Sequence, residues 1–185
     1  MARQLIVVDC ETTGLHDKAA ILEVAAINVD TGESMTFVPF VDCKQLGDAQ
    51  PAAMEINRYY ERGLWRHQYN PQQTAAAWRD LQEWLRGNTF AGSNPTFDSS
   101  LIAQQITDAG AIFNSYVGKV WHHRLADLAA YAAGKLDVDP TELEGLDGVA
   151  ERLGVPVVER HSALADACAT AQCFDLLRNT KAAQL

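Results

Sequence analysis

The 185-residue sequence predicts an α/β sandwich built around one mixed sheet. Three observations predict it. Three strand-like stretches follow one another at the start, helical periodicity sets in near residue 51, and the remainder alternates short strands with helices.

The elements follow in order. Residues 4–11 read as a buried strand, an apolar run (Leu5, Ile6, Val7, Val8) that gives way to polar chemistry at Asp9. Thr12, Thr13 and Gly14 make a turn, and residues 20–30 a second strand. Thr31 and Gly32 form a hairpin turn that returns a third strand over 33–41. Helices are expected over 51–60 and 72–86, the second with Ala76, Leu81, Trp84 and Leu85 on one side. Residues 88–92 read as a fourth strand. Pro95 suits the first position of a helix reaching about residue 110, with Asn94 as its cap. A fifth strand is expected within 116–125, followed by a helix through 133. Helices over 146–153 and 162–178 complete the chain, separated by Gly154, Val155 and Pro156.

Composition places all of this in one domain, residues 1–185. At 48% hydrophobic and 21% charged residues the chain resembles an ordinary globular protein able to bury a core without disulfides. The apolar run at 5–8 is too short for a signal peptide, and nothing approaches the ~18 apolar residues of a membrane span. Cys10, Cys43, Cys168 and Cys173 lack CxxC spacing and read as free thiols in a reducing compartment. A cytoplasmic location away from membranes is expected. The net charge of −9 argues against a general nucleic-acid binder with a basic face. It leaves room for a nuclease whose acidic pocket is loaded with cations and touches a short stretch of strand.

Three short segments hold the chemistry. Asp9 and Glu11 lie two apart on a strand, so their side chains leave the same face while Cys10 faces the other layer. Such a pair can hold a divalent ion through oxygen. Asp98 falls in the first turn of a helix, where the dipole favours its ionised form. His161 and Asp166 flank the start of the last helix, with Ser162 as its cap. Each segment alone is ordinary: two strand-end acids, an early-helix acid, an acidic helix start. Together, four acids need cations to stay ionised, and a histidine beside them can move a proton at neutral pH.

In order and spacing the segments resemble the DEDDh family of 3′–5′ exonucleases, the DnaQ-like group that includes proofreading subunits of bacterial replicases, ribonuclease T and oligoribonuclease. The motif D-x-E-T-T-G-L stands complete at 9–15, N-x-x-F-D at 94–98 and H-x-A-x-x-D at 161–166. Histidine five residues before the last aspartate separates this branch from one with tyrosine four before it, a place held here by Ser162. Residues 146–155 resemble the helix such enzymes place ahead of the third motif. The resemblance spans 4–177.

It implies a ribonuclease H-like sandwich with a five-stranded mixed sheet in order 3-2-1-4-5. It also implies two divalent cations, Mg²⁺ or Mn²⁺, with Asp9 bridging both, Glu11 and Asp166 completing one shell and Asp98 holding the other. His161 would be the general base on the attacking water, and the product a 5′-mononucleotide. The 3′ nucleotide would meet the turn at Thr12, Thr13 and Gly14, with Leu15 wedged beside the base. Met54, Asn57, Asn94 and Phe97 are further candidates for that pocket. For Met54 and Phe97 core packing explains the residue equally well. Glu23 reads as a structural hydrogen-bonding acid, and Asp127 as a support of the sheet edge.

Two departures stand out: Ser93 where many relatives carry histidine, and Pro95 in place of a small residue. Aromatic and basic residues interleave over 58–70 and 111–124, which suits base stacking or an ordinary half-buried surface. Three readings follow. The preferred one is a 3′–5′ exonuclease on single-stranded or frayed DNA ends, with a separate DNA polymerase as partner in any proofreading role. The second is an exoribonuclease on short RNA or RNA 3′ tails. The third is a non-catalytic nucleic-acid-binding module, which the intact set of five site residues speaks against.

Overall fold

In the computed structural model, which describes residues 2–112 and 119–179, the first apolar run becomes β1 (Leu5–Thr12). Ile6, Val7 and Val8 are at most 1% exposed, as a strand covered on both faces requires. β2 (Ile21–Asn28) pairs antiparallel with β1, and β3 (Ser34–Phe37) antiparallel with β2. Two short helices, α1 (Cys43–Gly47) and α2 (Pro51–Asn57), lead to α3 (Pro71–Leu85). β4 (Thr89–Gly92) then pairs parallel with β1 on its other side. α4 (Pro95–Ile112) follows, then β5 (Ala126–Asp127), parallel to β4. α5 (Leu128–Leu136), α6 (Leu146–Leu153) and α7 (Ala163–Asn179) end the fold. The sheet order is β3-β2-β1-β4-β5. This is the five-stranded α/β sandwich of the ribonuclease H-like kind.

Alternation along β1 divides the core in two. Ile6 and Val8 pack with Phe90, Trp78 of α3 and Ile102 of α4 on one face. Val7 packs with Ala25, Ala91, Leu128 of α5, Val149 of α6 and Phe174 of α7 on the other. A third cluster of Leu22, Val38, Val41, Tyr59 and Leu64 lies by α2. α3 begins at a capping box between Asn70 and Gln73. It buries Ala75, Trp78, Leu81 and Leu85, while Ala76 and Trp84, expected on that face, are only half-buried. Trp78 is the pivot of this face and meets Phe37 edge-on at 4.9 Å.

The expected fifth strand is corrected. Residues 116–118 lie outside the described residues, 119–125 hold no strand, and β5 has two residues further on. Val120, Trp121 and Leu125 satisfy their hydrophobicity by packing against the first core instead, Trp121 with its ring 5.3 Å from Phe90. β3 also stops at Phe37 rather than 41, because Pro39 offers no donor to a ladder and Val38 and Val41 turn into the third cluster. α1 was not expected; Asp42 and Gln45 form its capping box. Among the described residues no helix is long and apolar enough to cross a membrane.

Candidate active site

β1 and β4 run parallel, so the carboxyl end of β1 and the start of α4 arrive at the same edge of the sheet. Their pairing ends at Val7 and Ala91, which leaves the next part of β1 open toward α4. Asp98, in the first turn of α4, fills that opening, its Oδ1 accepting from the Cys10 N–H at 3.0 Å. Asp9 and Glu11 leave β1 on the Val7 face, beneath α7, whose first turn supplies Asp166. A cleft of about 350 Å³ results, lined by Asp9, Glu11, Asp98, His161 and Asp166 together with Cys10, Ser93, Asn94, Phe97, Gly145, Leu146 and Arg160. Ligand atoms of Glu11, His161 and Asp166 lie within 4.8 Å of one another.

The carboxylates crowd one another. Burial, then the charges of Asp98, Asp166 and Glu11, hold the Asp9 carboxyl well above its usual range. Burial, then Asp166 and Glu23, raise Glu11 to about 7. Burial raises Asp98 as well, against the hydrogen bonds it accepts from backbone N–H groups. Asp166 is 5% exposed. Its Oδ2 accepts from the Arg160 guanidinium and from the His161 N–H at 3.2 Å. Its Oδ1 is buried without a partner among the described residues. An orphaned carboxylate oxygen, an all-carboxylate first set of donors and mutual repulsion that raises two of its acids fit hard divalent cations.

The turn after β1 is built from its own residues. Thr12 Oγ1 donates to the Gly14 carbonyl at 2.8 Å, and Thr13 Oγ1 accepts from the Ala20 N–H at 2.9 Å. Leu15 stands out from this turn, 82% exposed, its N–H held by Gln50 Oε1 at 3.1 Å. Asn57 is buried and donates to the Thr12 carbonyl at 3.0 Å, so it braces the turn from behind. Met54 is half-buried against the third cluster. Phe97 lines the cleft yet also packs on the first core. Asn94 lines the cleft too, but with φ 62 it is not the extended cap expected. Its carbonyl instead closes the turn, accepting from the Phe97 N–H at 3.2 Å.

Arg160, Asp147 and Arg62 escape a reading of the sequence, while Glu23 is the structural hydrogen-bonding acid expected. Arg160 bridges Asp166 and Asp147, with its Nε 2.6 Å from Asp147. Arg62 is 2.9 Å from Glu23, whose Oε2 accepts from the Ala163 N–H at 3.2 Å. Arg160 adjoins His161 in sequence, a signal that was available. Arg62 is a hundred residues from the helix it reaches, and only the tertiary fold reveals it. Asp127, expected at the sheet edge, ends β5 and caps α5 through the Ala129 N–H at 2.8 Å.

Residues 6–174 match the family model described as "Exonuclease" (RNase_T). No curated protein matches the sequence. Among solved structures, E. coli exonuclease I in complex with a 5cy-dA13 oligonucleotide is 20% identical at a TM-score of 0.69, covering 97% of this chain and 41% of its own. A moderately thermophilic exonuclease I from Methylocaldum szegediense is 19% identical at 0.67, covering 97% and 41%. The zinc-bound form of an E. coli exonuclease I–ssDNA complex is 18% identical at 0.65, covering 96% and 41%. At these identities the likeness is one of fold. The chain spans about two-fifths of the length of these three structures.

Proposed function

The chain belongs to the exonuclease family whose model covers residues 6–174, and from that premise we propose a cation-dependent 3′–5′ exonuclease on single-stranded or frayed DNA ends. The observation that carries this reading is the quartet of a half-buried Asp9 and buried Glu11, Asp98 and Asp166 in one cleft, with an unpartnered Asp166 oxygen and His161 at its rim. Residues 1–185 form a single domain of this activity, and the finer resemblance is to a proofreading subunit, with a separate DNA polymerase as its partner. The unpaired state of all four cysteines supports a cytoplasmic setting.

Asp9, Glu11, Asp98 and Asp166 would hold two divalent cations, Mg²⁺ or Mn²⁺. When bound, these neutralise phosphate charge and make water a stronger nucleophile. His161 takes the proton of the attacking water on its imidazole, and the fixed carboxylates would place the cations against which the phosphodiester is oriented. The backbone at Thr12 and Thr13 and the exposed side chain of Leu15 receive the terminal nucleotide. DNA is preferred because exonuclease I, similar in fold, is solved with single-stranded oligonucleotides.

The test uses 5′-labelled single-stranded DNA, RNA, matched duplex and 3′-mismatched duplex with Mg²⁺ or Mn²⁺. A 3′-shortening ladder on single-stranded DNA, absent in EDTA and in Asp9→Ala, is expected. Activity surviving EDTA, or equal in that variant, would sink the reading. Faster cleavage of RNA would reassign the substrate to short RNA ends.

A further inference from the structure

We propose that Arg62 is a positioning residue for His161, a role that rests on the exonuclease reading above. Arg62 comes from the turn after α2 and is not among the residues that line the carboxylate cleft. Its Nη1 donates to the His161 carbonyl at 3.2 Å and to the Asn57 carbonyl at 3.3 Å. Its Nη2 donates to Ser162 Oγ at 3.1 Å and to Glu23 Oε1 at 2.9 Å. The other oxygen of Glu23 accepts from the Ala163 N–H at 3.2 Å. Three successive residues at the entry to α7 are therefore each held by one member of a single ion pair.

The loop needs such a hold. His161 has φ 63 and Glu159 φ 57, left-handed conformations that cost a non-glycine residue energy and persist where surroundings impose them. Asn57 extends the hold to the turn after β1, because its side chain donates to the Thr12 carbonyl at 3.0 Å. The turn that would receive the terminal nucleotide and the residue that would activate water thus share one strut. A half-buried Arg62 and a buried Glu23 make it stiff, their side chains 23% and 12% exposed. A planar guanidinium reaches all four acceptors at once, and a lysine ammonium cannot reproduce that fork.

The experiment compares wild type with Arg62→Ala and Arg62→Lys in three readouts: thermal unfolding, steady-state cleavage of single-stranded DNA with Mg²⁺, and the imidazole ¹H–¹⁵N spectrum. The His161 signal is assigned by its loss in His161→Gln. In Arg62→Ala, kcat should fall about 10- to 100-fold at little-changed KM, since misplacing a catalytic group acts on turnover. The His161 imidazole signal should shift, and Arg62→Lys should restore only part of both. An unmoved imidazole signal, or wild-type kcat in Arg62→Ala, overturns the proposal. If Arg62→Ala does not fold, Arg62→Lys carries the same readouts. A wild-type protein that cleaves nothing overturns the exonuclease reading instead, while the imidazole signal still decides whether Arg62 positions His161.

Discussion

Glu11 of β1 and Glu23 of β2 stand directly opposite one another across the antiparallel pair. Like charges in that position destabilise a sheet. Here they are tolerated because Arg62 lies 2.9 Å from Glu23 and, with Arg160, offsets part of the repulsion on Glu11. The offset is incomplete, and Glu11 is left raised to about 7 by burial, Asp166 and Glu23.

That residual strain sets a pH dependence. A carboxyl whose folded value lies above its unfolded one keeps its proton longer in the folded state. From the ordinary 4.5 to about 7 the folded protein therefore binds more protons than the unfolded chain, so stability falls as pH rises through this window. In EDTA the protein should melt at a higher temperature at pH 5.5 than at pH 8, Glu11 alone contributing on the order of 2–3 kcal/mol at most. Glu11→Gln should flatten the slope, and Mg²⁺ or Mn²⁺ should restore stability at pH 8. Thermal unfolding in EDTA across this range checks it; a melting temperature that climbs with pH would contradict the assignment.

Asp9 and His161 should fail in different ways. Asp9→Asn removes one charge from a repulsive cluster, so the cation-free protein should be at least as stable as wild type. Cation affinity should drop, and turnover should fall by at least ~10²-fold, as when a group that stabilises transition-state charge is lost. His161→Ala should lower kcat by roughly 10²–10⁴-fold, the usual contribution of a general base, with Mn²⁺ affinity nearly unchanged in calorimetry. A His161→Ala protein that loses cation binding as severely as Asp9→Asn would make His161 a ligand rather than a base.

The segments that meet in the cleft were legible because each is local in sequence: a strand followed by acids, a proline-started helix with an acid in its first turn, a last helix with an acid in its first turn. The sheet order came only from the family resemblance those segments carry. β5 was not legible, because Val120, Trp121 and Leu125 carry strand-like hydrophobicity but spend it on side-chain packing rather than a ladder. The strut of Arg62 and Glu23 was not legible for a different reason. An arginine in a turn rich in charges says nothing about a carbonyl a hundred positions away until the fold has brought them together. Asn57 was expected to face the substrate; its side-chain amide instead donates through Nδ2 to the Thr12 carbonyl and accepts through Oδ1 from the Tyr59 N–H.

Leu15 offers a test of the substrate pocket that spares the fold. It is 82% exposed, so Leu15→Ala should leave the melting temperature unchanged. If it covers the terminal base, losing its apolar contact should raise KM by about tenfold, in line with burying one leucine side chain. Cleavage titrations over DNA concentration separate this from a loss of kcat. An unchanged KM would move the terminal nucleotide away from this turn.

Gly92 ties the sheet to the site and gives the sharpest structural test. A Cβ at this position would lie 3.0 Å from the Val8 carbonyl oxygen and 3.4 Å from Pro95 Cβ. Neither neighbour is a flexible side-chain end, since one is the backbone of β1 and the other the first residue of α4. The Pro95 contact is of ordinary length, so relief must come from moving the end of β4, and with it the start of α4, away from β1. Asp98 sits in the first turn of α4 and is joined to β1 through the Cys10 N–H at 3.0 Å, so that movement lengthens the bond and displaces a carboxylate. Gly92→Ala should cost about 1–3 kcal/mol in denaturant unfolding, as overpacking usually does, and should also weaken Mn²⁺ binding. Gly14→Ala is the comparison, for its Cβ meets only the end of the Gln50 side chain, at 2.7 Å from Oε1, which can swing away. It should cost less stability and leave cation binding intact, while freeing the Leu15 N–H. Full stability and full Mn²⁺ affinity in Gly92→Ala would mean that the close approach of β1 and β4 is not what fixes Asp98.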